Sequence, residues 1–186
     1  MIFVVGGRNQ GKKRFAAECF MMPDQMAQAS WQDGETAGWE DYMKGCWCSN
    51  FHLFIRRYLE GAVGPDGKGP GSARAKCSGA GSGPVDGGRG SGPISLSRAP
   101  ASRASAAFSW DHAGQEVGEM EEMLLQSLFR ENPHRILVTD EIGCGIVPAD
   151  VFERLYREET GRICCRVAAQ ASQVWRVTCG LGQQLK

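Results

Sequence analysis

Apolar positions along this chain fall into short runs and helical stripes, separated by one long stretch that has neither. Ile2–Val5 is a compact apolar run of the kind that forms a buried strand. From Lys12 to about Met22, Phe15, Ala16, Cys19 and Phe20 recur at helical spacing. Asn50–Glu60 repeats the pattern with Leu53, Ile55 and Leu59 among Arg56, Arg57 and Glu60. Glu116–Arg130 does so again with Met120, Met123, Leu124 and Leu128. Arg135–Thr139 predicts a second strand, ending in Asp140-Glu141. A glycine-punctuated loop follows, Ile142 to Pro148. Pro148 suits the first turn of a helix whose apolar face is Val151, Phe152, Leu155 and Tyr156. Gly161 predicts the end of that helix, Ile163–Ala171 a further one, and Gln173–Thr178 a final strand. Strands alternating with helices predict an α/β fold with a mainly parallel sheet flanked by helices.

Residues 61–107 depart from this pattern. Gly, Ser, Ala, Pro and Arg dominate them, and after Val85 the large aliphatics are nearly confined to Ile94 and Leu96. Such a segment buries too little apolar area to offset its ordering entropy. It reads as a disordered Gly/Ser-rich insert in one domain spanning 1–186; an active-site lid is the alternative. At 186 residues the chain has room for one ordinary domain.

Charge narrows the field of functions. Lys plus Arg and Asp plus Glu both number 21, so the formal net charge is zero, and no broad nucleic-acid or membrane surface is expected. No apolar run reaches the length of a membrane span, and Met1–Gly7 is too short for a signal peptide, so cytoplasm is the expected location. Under those conditions the eight cysteines are expected as reduced thiols. Cys46-Trp47-Cys48 and Cys164-Cys165 lack the spacer of zinc-binding pairs.

Chemistry concentrates at two places. Gly6-Gly7-Arg8-Asn9-Gln10-Gly11-Lys12-Lys13 follows a strand and opens a helix, with the glycine and lysine spacing of a phosphate-binding loop (P-loop). There the backbone amides and the positive end of the helix would curl around phosphate oxygens, and Lys12 would reach the β- and γ-phosphates. A structural glycine turn is the bland alternative. Lys13 occupies the place of the usual Ser or Thr that ligates Mg²⁺. At the second place, Asp140 could position Mg²⁺ and Glu141 could orient or deprotonate an attacking hydroxyl; a cap on the following turn by one of them is the alternative. His52, His112 and His134 have no obvious acidic orienter in sequence. Arg154, Arg157 and Arg162 could face phosphates, or Arg157 and Glu153 could form a surface pair.

Thr139-Asp140-Glu141-Ile142-Gly143-Cys144-Gly145-Ile146-Val147-Pro148, then Arg154-Leu155-Tyr156-Arg157, Thr160-Gly161-Arg162 and the closing Gly180 to Leu185-Lys186 resemble the bifunctional adenosylcobinamide kinase/adenosylcobinamide-phosphate guanylyltransferase family. The opening strand and glycine–lysine loop agree with it. The resemblance implies a RecA-like nucleotide-binding fold, commonly a homo-oligomeric trimer, acting in cobalamin synthesis. It implies phosphorylation of adenosylcobinamide with GTP or ATP and Mg²⁺, then GMP transfer from GTP through a guanylylated histidine. Within the resemblance Lys13 replaces a hydroxyl residue, Asp140 stands where many relatives have Asn, and Cys164-Cys165 replaces a frequent Asn-Gln pair. Pro23–Lys44, where the histidine belongs, has none, and His52 is the nearest substitute. A non-catalytic nucleotide-binding protein descended from the family, and an unrelated small-molecule kinase, are the competing expectations.

Overall fold

The computed structural model describes residues 1–22, 30–67 and 110–186, with side chains in the last stretch from residue 118 onward. Most of the expected 61–107 insert, from residue 68, lies outside the described residues; 61–67 form turns.

The strands are β1 (Ile2–Gly6), β2 (Gln32–Asp33), β3 (Trp47–Ser49), β4 (Ile136–Asp140), β5 (Gln173–Thr178) and β6 (Leu181–Gln184). The helices are α1 (Lys12–Phe20), α2 (Trp39–Lys44), α3 (Phe51–Leu59), α4 (Trp110–Glu131) and α5 (Val151–Gln170). One six-stranded sheet runs β2-β3-β4-β1-β5-β6. All its pairings are parallel except β5 with β6. The mixed α/β architecture with a mostly parallel sheet is therefore as the pattern implied.

Alternation along each strand divides the core in two. Phe3, Leu137, Cys48 and Val174 face one side, where they pack with Tyr42 and Met43 of α2, Phe51, Phe54, Ile55 and Tyr58 of α3, Leu124 and Leu128 of α4, and Ile163 and Val167 of α5. Val4, Ile136, Val138 and Val177 face the other side, against Ala16 of α1 and a fringe of half-buried aromatics. Phe15, Phe20 and Trp175 form a mutual cluster there, with ring centroids 5.5–5.9 Å apart. On the first face Tyr42 stacks on Phe54 at 4.0 Å between centroids. Arg135 is fully buried beside them. Its guanidinium donates to the carbonyls of Tyr42 and Met43, near the carboxyl end of α2, and its Nε to Asn132 O at 2.9 Å. Those bonds compensate its burial.

Several sequence expectations are corrected here. Gly161 does not end a helix: α5 runs through it, so the two expected helices are one. The buried stripe Tyr156, Glu159, Thr160, Ile163 and Val167 crosses the glycine without a break, and such packing outweighs the roughly 1 kcal/mol cost of one helical glycine. Pro148 is not in the first turn either. The helix is capped by Asp150, whose carboxylate accepts from Glu153 N at 2.9 Å. Val151, assigned to the apolar face, is 67% exposed. The sequence pattern also passed over β2, α2, β3 and the antiparallel β6, elements too short to display a period.

Glu159 is 2% exposed, and one of its carboxylate oxygens has no hydrogen-bond partner. Burial, seconded by the neighbouring Glu121 carboxyl, raises its pKa from 4.5 to about 7, with Arg162 opposing. A carboxyl whose folded pKa is raised contributes stability that is complete below its unfolded pKa and lost as pH climbs through the folded value. Wild-type protein should therefore lose stability relative to Glu159→Gln between about pH 5 and pH 8, by on the order of 3 kcal/mol. Thermal or denaturant unfolding across that range checks this; parallel pH curves for the two proteins would refute the buried acid.

Candidate functional site

Parallel strands point their carboxyl ends the same way, so the loops following β1, β2, β3 and β4 gather along one edge of the sheet. The register of β1 on β4 pairs Gly6 with Asp140. This puts the start of the Gly6–Lys13 turn beside the two acids despite their separation in sequence. A Cβ on Gly6 would lie 2.3 Å from Val177 O of β5, so only glycine lets the turn begin so close to the neighbouring strand. Asn9 (φ 60) and Gly11 (φ 81) then adopt left-handed conformations that curl the chain into α1.

Four carbonyl oxygens of this turn are engaged by the protein. Gly6 O accepts from Glu141 N at 3.0 Å, Gln10 O from Gly180 N at 2.9 Å and Gly11 O from Phe15 N at 2.9 Å. Gly7 O accepts from Lys12 Nζ at 2.6 Å. Four carbonyls of the turn are thus held by hydrogen bonds within the protein.

Lys12 is 6% exposed, and its Nζ also pairs with Asp140 Oδ1 at 2.6 Å. A nearly buried ammonium requires such a partner. The second oxygen of Asp140 lies 3.9 Å from His52 Nε2. His52, in the first turn of α3, accepts a hydrogen bond from Asp140 N through Nδ1 at 3.3 Å. A nitrogen that accepts an N–H carries no proton, so the ring proton of the neutral form sits on Nε2. Burial depresses the His52 pKa; Asp140 pulls it back up, while Lys12 and Arg8 push it further down. His52 is thus neutral near pH 7.

Glu141 turns outward, and Arg176 Nη2 of β5 pairs with its Oε2 at 3.2 Å. Cys144 Sγ lies 3.8 Å from the other oxygen.

Other expected residues fall elsewhere. Lys13 leaves the turn, its Nζ stacking 5.0 Å from the centre of the Trp31 ring. Arg8 is exposed at the tip. Arg154 and Arg157 do not reach toward the turn: Arg154 donates to Pro148 O and Ala149 O, and Arg157 to Gly143 O and Ile146 O, clamping the loop between β4 and α5. The expected Arg157–Glu153 pair does not form, because Glu153 binds Arg56 at 2.7 Å instead. Arg162 pairs with Glu158 and Glu159 on its own helix. His134 lies at the opposite end of β4 from Asp140, and the side chain of His112 is outside the described residues.

The sequence reading missed Asp33 and Asn50 at this edge. Asn50 Nδ2 donates to both oxygens of Asp33, at 3.0 and 3.2 Å, and ties the end of β2 to the start of α3. Asp33-Gly34 and Ser49-Asn50, each an acid or amide at the seam of two elements, were the available signals. Among the described residues no group of three or more His, Cys, Asp or Glu side chains could hold a metal ion, and no helix is long and apolar enough to cross a membrane. Cys19, Cys46, Cys48, Cys144, Cys164, Cys165 and Cys179 are free thiols.

Comparison with known proteins bears on this edge. Residues 103–185 match the family model described as cobinamide kinase / cobinamide phosphate guanyltransferase. The bifunctional adenosylcobalamin biosynthesis protein CobU of Salmonella typhimurium is 37% identical over 79 residues, 41% of this chain and 44% of that protein. Its namesake from Escherichia coli is 35% identical over an equal span. The chain thus spans less than half the length of these relatives. The matched segment contributes β4, β5 and β6 to the sheet, α5 against it, and Asp140 and Glu141 at its edge, and over residues 103–185 the chain is similar to the cobinamide kinase / cobinamide phosphate guanyltransferase family.

Proposed function

We propose that this protein binds the phosphates of GTP or ATP on the Gly6–Lys13 turn, as a P-loop, and transfers the terminal phosphoryl group to the hydroxyl of adenosylcobinamide in cobalamin biosynthesis. The observation that carries the reading is the pairing of Lys12 with Asp140 beside the glycine turn, whose Gly7 O the same ammonium also reaches. Free of ligand, the ammonium rests on Gly7 O and Asp140; a triphosphate offers it better-matched oxygens and takes over as its counter-charge.

In this reading residues 6–12 hold the triphosphate, and Lys12 with the turn amides stabilises charge developing on the transferred group. Glu141 orients the acceptor hydroxyl and takes its proton as the oxygen attacks the γ-phosphorus and the nucleoside diphosphate leaves. Arg176 Nη2, 3.2 Å from Glu141 Oε2, fixes the direction of that carboxylate. The donor set also suits Mg²⁺. Asp140 offers a hard carboxylate oxygen, and with no multidentate cage among the described residues the cation would arrive with the nucleotide, its other positions filled by phosphate oxygens and water. It would offset phosphate charge. Lys13, turned onto Trp31, takes no part in holding it.

His52 serves this site as a positioning residue. Its Nδ1 lone pair is spent on the Asp140 amide and its Nε2 carries the proton, so neither nitrogen offers a lone pair to an incoming phosphorus. Phosphoryl transfer is therefore the favoured half of the family chemistry, and GMP transfer the disfavoured one. A second reading, nucleotide binding without turnover, draws on the displacement of Lys13 from the turn.

Purified protein incubated with adenosylcobinamide, Mg²⁺ and GTP or ATP labelled at either the α- or the γ-phosphate separates these readings. Label from the γ-position should appear in the corrinoid, with no α-label on the protein. An α-labelled, acid-labile protein adduct would restore guanylyl transfer, and nucleotide binding with no transfer would support the second reading. Failure to bind either nucleotide would overturn the proposal.

Two substitutions distinguish the assigned roles. Lys12→Met should weaken nucleotide binding and lower kcat/KM by about 10²–10³-fold, as for loss of a charge-stabilising donor. Glu141→Gln should lower kcat by about 10²-fold or more while leaving nucleotide affinity near wild type. Steady-state kinetics paired with equilibrium nucleotide binding check both, and a Glu141→Gln enzyme of normal kcat would remove the base from the mechanism.

A further inference from the structure

The turn joining β5 to β6 is two residues long, Cys179-Gly180, both with positive φ (52 and 82), the form of a type I′ hairpin turn. Its two amides meet one residue of the Gly6–Lys13 turn. Cys179 N donates to the side-chain Oε1 of Gln10 at 2.6 Å, and Gly180 N donates to the main-chain oxygen of Gln10 at 2.9 Å. The approach is close enough that a Cβ on Gly11 would lie 3.3 Å from Gly180 Cα. Both acceptors of Gln10 are therefore clamped by consecutive amides of a hairpin tip that is itself anchored in the sheet by the β5–β6 ladder.

We propose that Gln10 is a positioning residue for nucleotide phosphates, held by the Cys179-Gly180 hairpin tip so that the middle of the glycine turn keeps one curvature. This rests on the reading that residues 6–13 take phosphate. The turn has two anchored ends, Gly6 in the sheet and Lys12 on Gly7 O and Asp140, and between them Gln10 is tied to the rest of the protein by both its polar groups. Its main-chain bond holds that peptide oxygen on the hairpin tip, and its side-chain bond opposes rotation of the peptide away from it. An amide turned the wrong way would present oxygen to phosphate, so the clamp acts on affinity for the triphosphate chain and not on recognition of the base or the corrinoid. The arrangement also joins two parts of the sequence. The clamp belongs to the segment that matches the family, and the turn it supports lies outside that match.

Gln10→Met removes the side-chain acceptor while keeping length and flexibility, and leaves the main-chain bond in place. Titration calorimetry with GTP, ATP and inorganic tripolyphosphate should show all three dissociation constants rising together, by about 10-fold, the scale of one lost hydrogen bond in a site that must stay ordered. The KM for adenosylcobinamide and the unfolding midpoint without nucleotide should stay near wild type. Wild-type protein that binds none of the three probes would overturn the phosphate-turn reading itself. Wild-type binding with unchanged affinities in Gln10→Met would overturn the positioning role alone. A variant that loses ligand-free stability but keeps its phosphate affinities would likewise overturn it, by showing the clamp to be purely structural.

Discussion

Everything at the candidate site depends on the parallel pairing of β1 with β4. These strands are remote in sequence, and their register matches Gly6 to Asp140. Because side chains alternate across a strand, sliding that register by one residue would turn Asp140 to the opposite face and leave Lys12 without its carboxylate. The register is held from both sides of the sheet: Phe3 and Leu137 on one face and Val4, Ile136 and Val138 on the other are all nearly inaccessible. Burial of those side chains, each contributing about 1.5–3 kcal/mol, makes a slipped pairing costly. The hydrophobic core thereby specifies where the charges meet.

Lys12, Asp140 and His52 form a compact electrostatic unit under that constraint. A lysine 6% exposed would be expensive without a counter-charge, and Asp140 supplies it. The fold therefore holds a nearly buried cation against a carboxylate at the sheet edge. His52 holds the Asp140 amide from the neighbouring helix, and its depressed pKa keeps the ring neutral, so it adds no positive charge to compete with Lys12. The Asp33–Asn50 link secures the start of that helix. Four strand ends thus converge through side chains whose partners lie on different strands.

What was legible in the sequence was local. The glycine turn after an apolar run, the acids at the end of another, and the amphipathic stripe of α3 each announce themselves within about a dozen residues, the reach of a periodic pattern. The illegible parts were nonlocal or brief. Strands of two or three residues such as β2 and β3 have no period to detect, and β6, with the sequence Leu181-Gly182-Gln183-Gln184, is recognisable only through its antiparallel partner. Gly161 misled because a glycine's effect depends on what surrounds it; here it lies on the exposed side of a helix already secured by Tyr156, Ile163 and Val167. Arg154 and Arg157 misled for a related reason. A guanidinium near a glycine-rich loop suits phosphate and peptide carbonyls equally, and only the fold chose the carbonyls.

The layering explains why these nonlocal contributions matter most at one place. Among the described residues α1 is the helix on its face of the sheet, while α2 to α5 pack on the other. The glycine turn joins β1 to α1 at the sheet edge, where the strands beside β1 support it. On one flank the support is β4, through Asp140 and the Glu141 amide; on the other it is the β5–β6 hairpin tip. Both supports come from the segment that matches the family, and the turn does not. The glycine turn in this fold is thus not a self-contained motif. Its glycines permit the curvature, but its shape is imposed by residues more than a hundred positions later, which is why spacing alone identified the turn without identifying what holds it in shape.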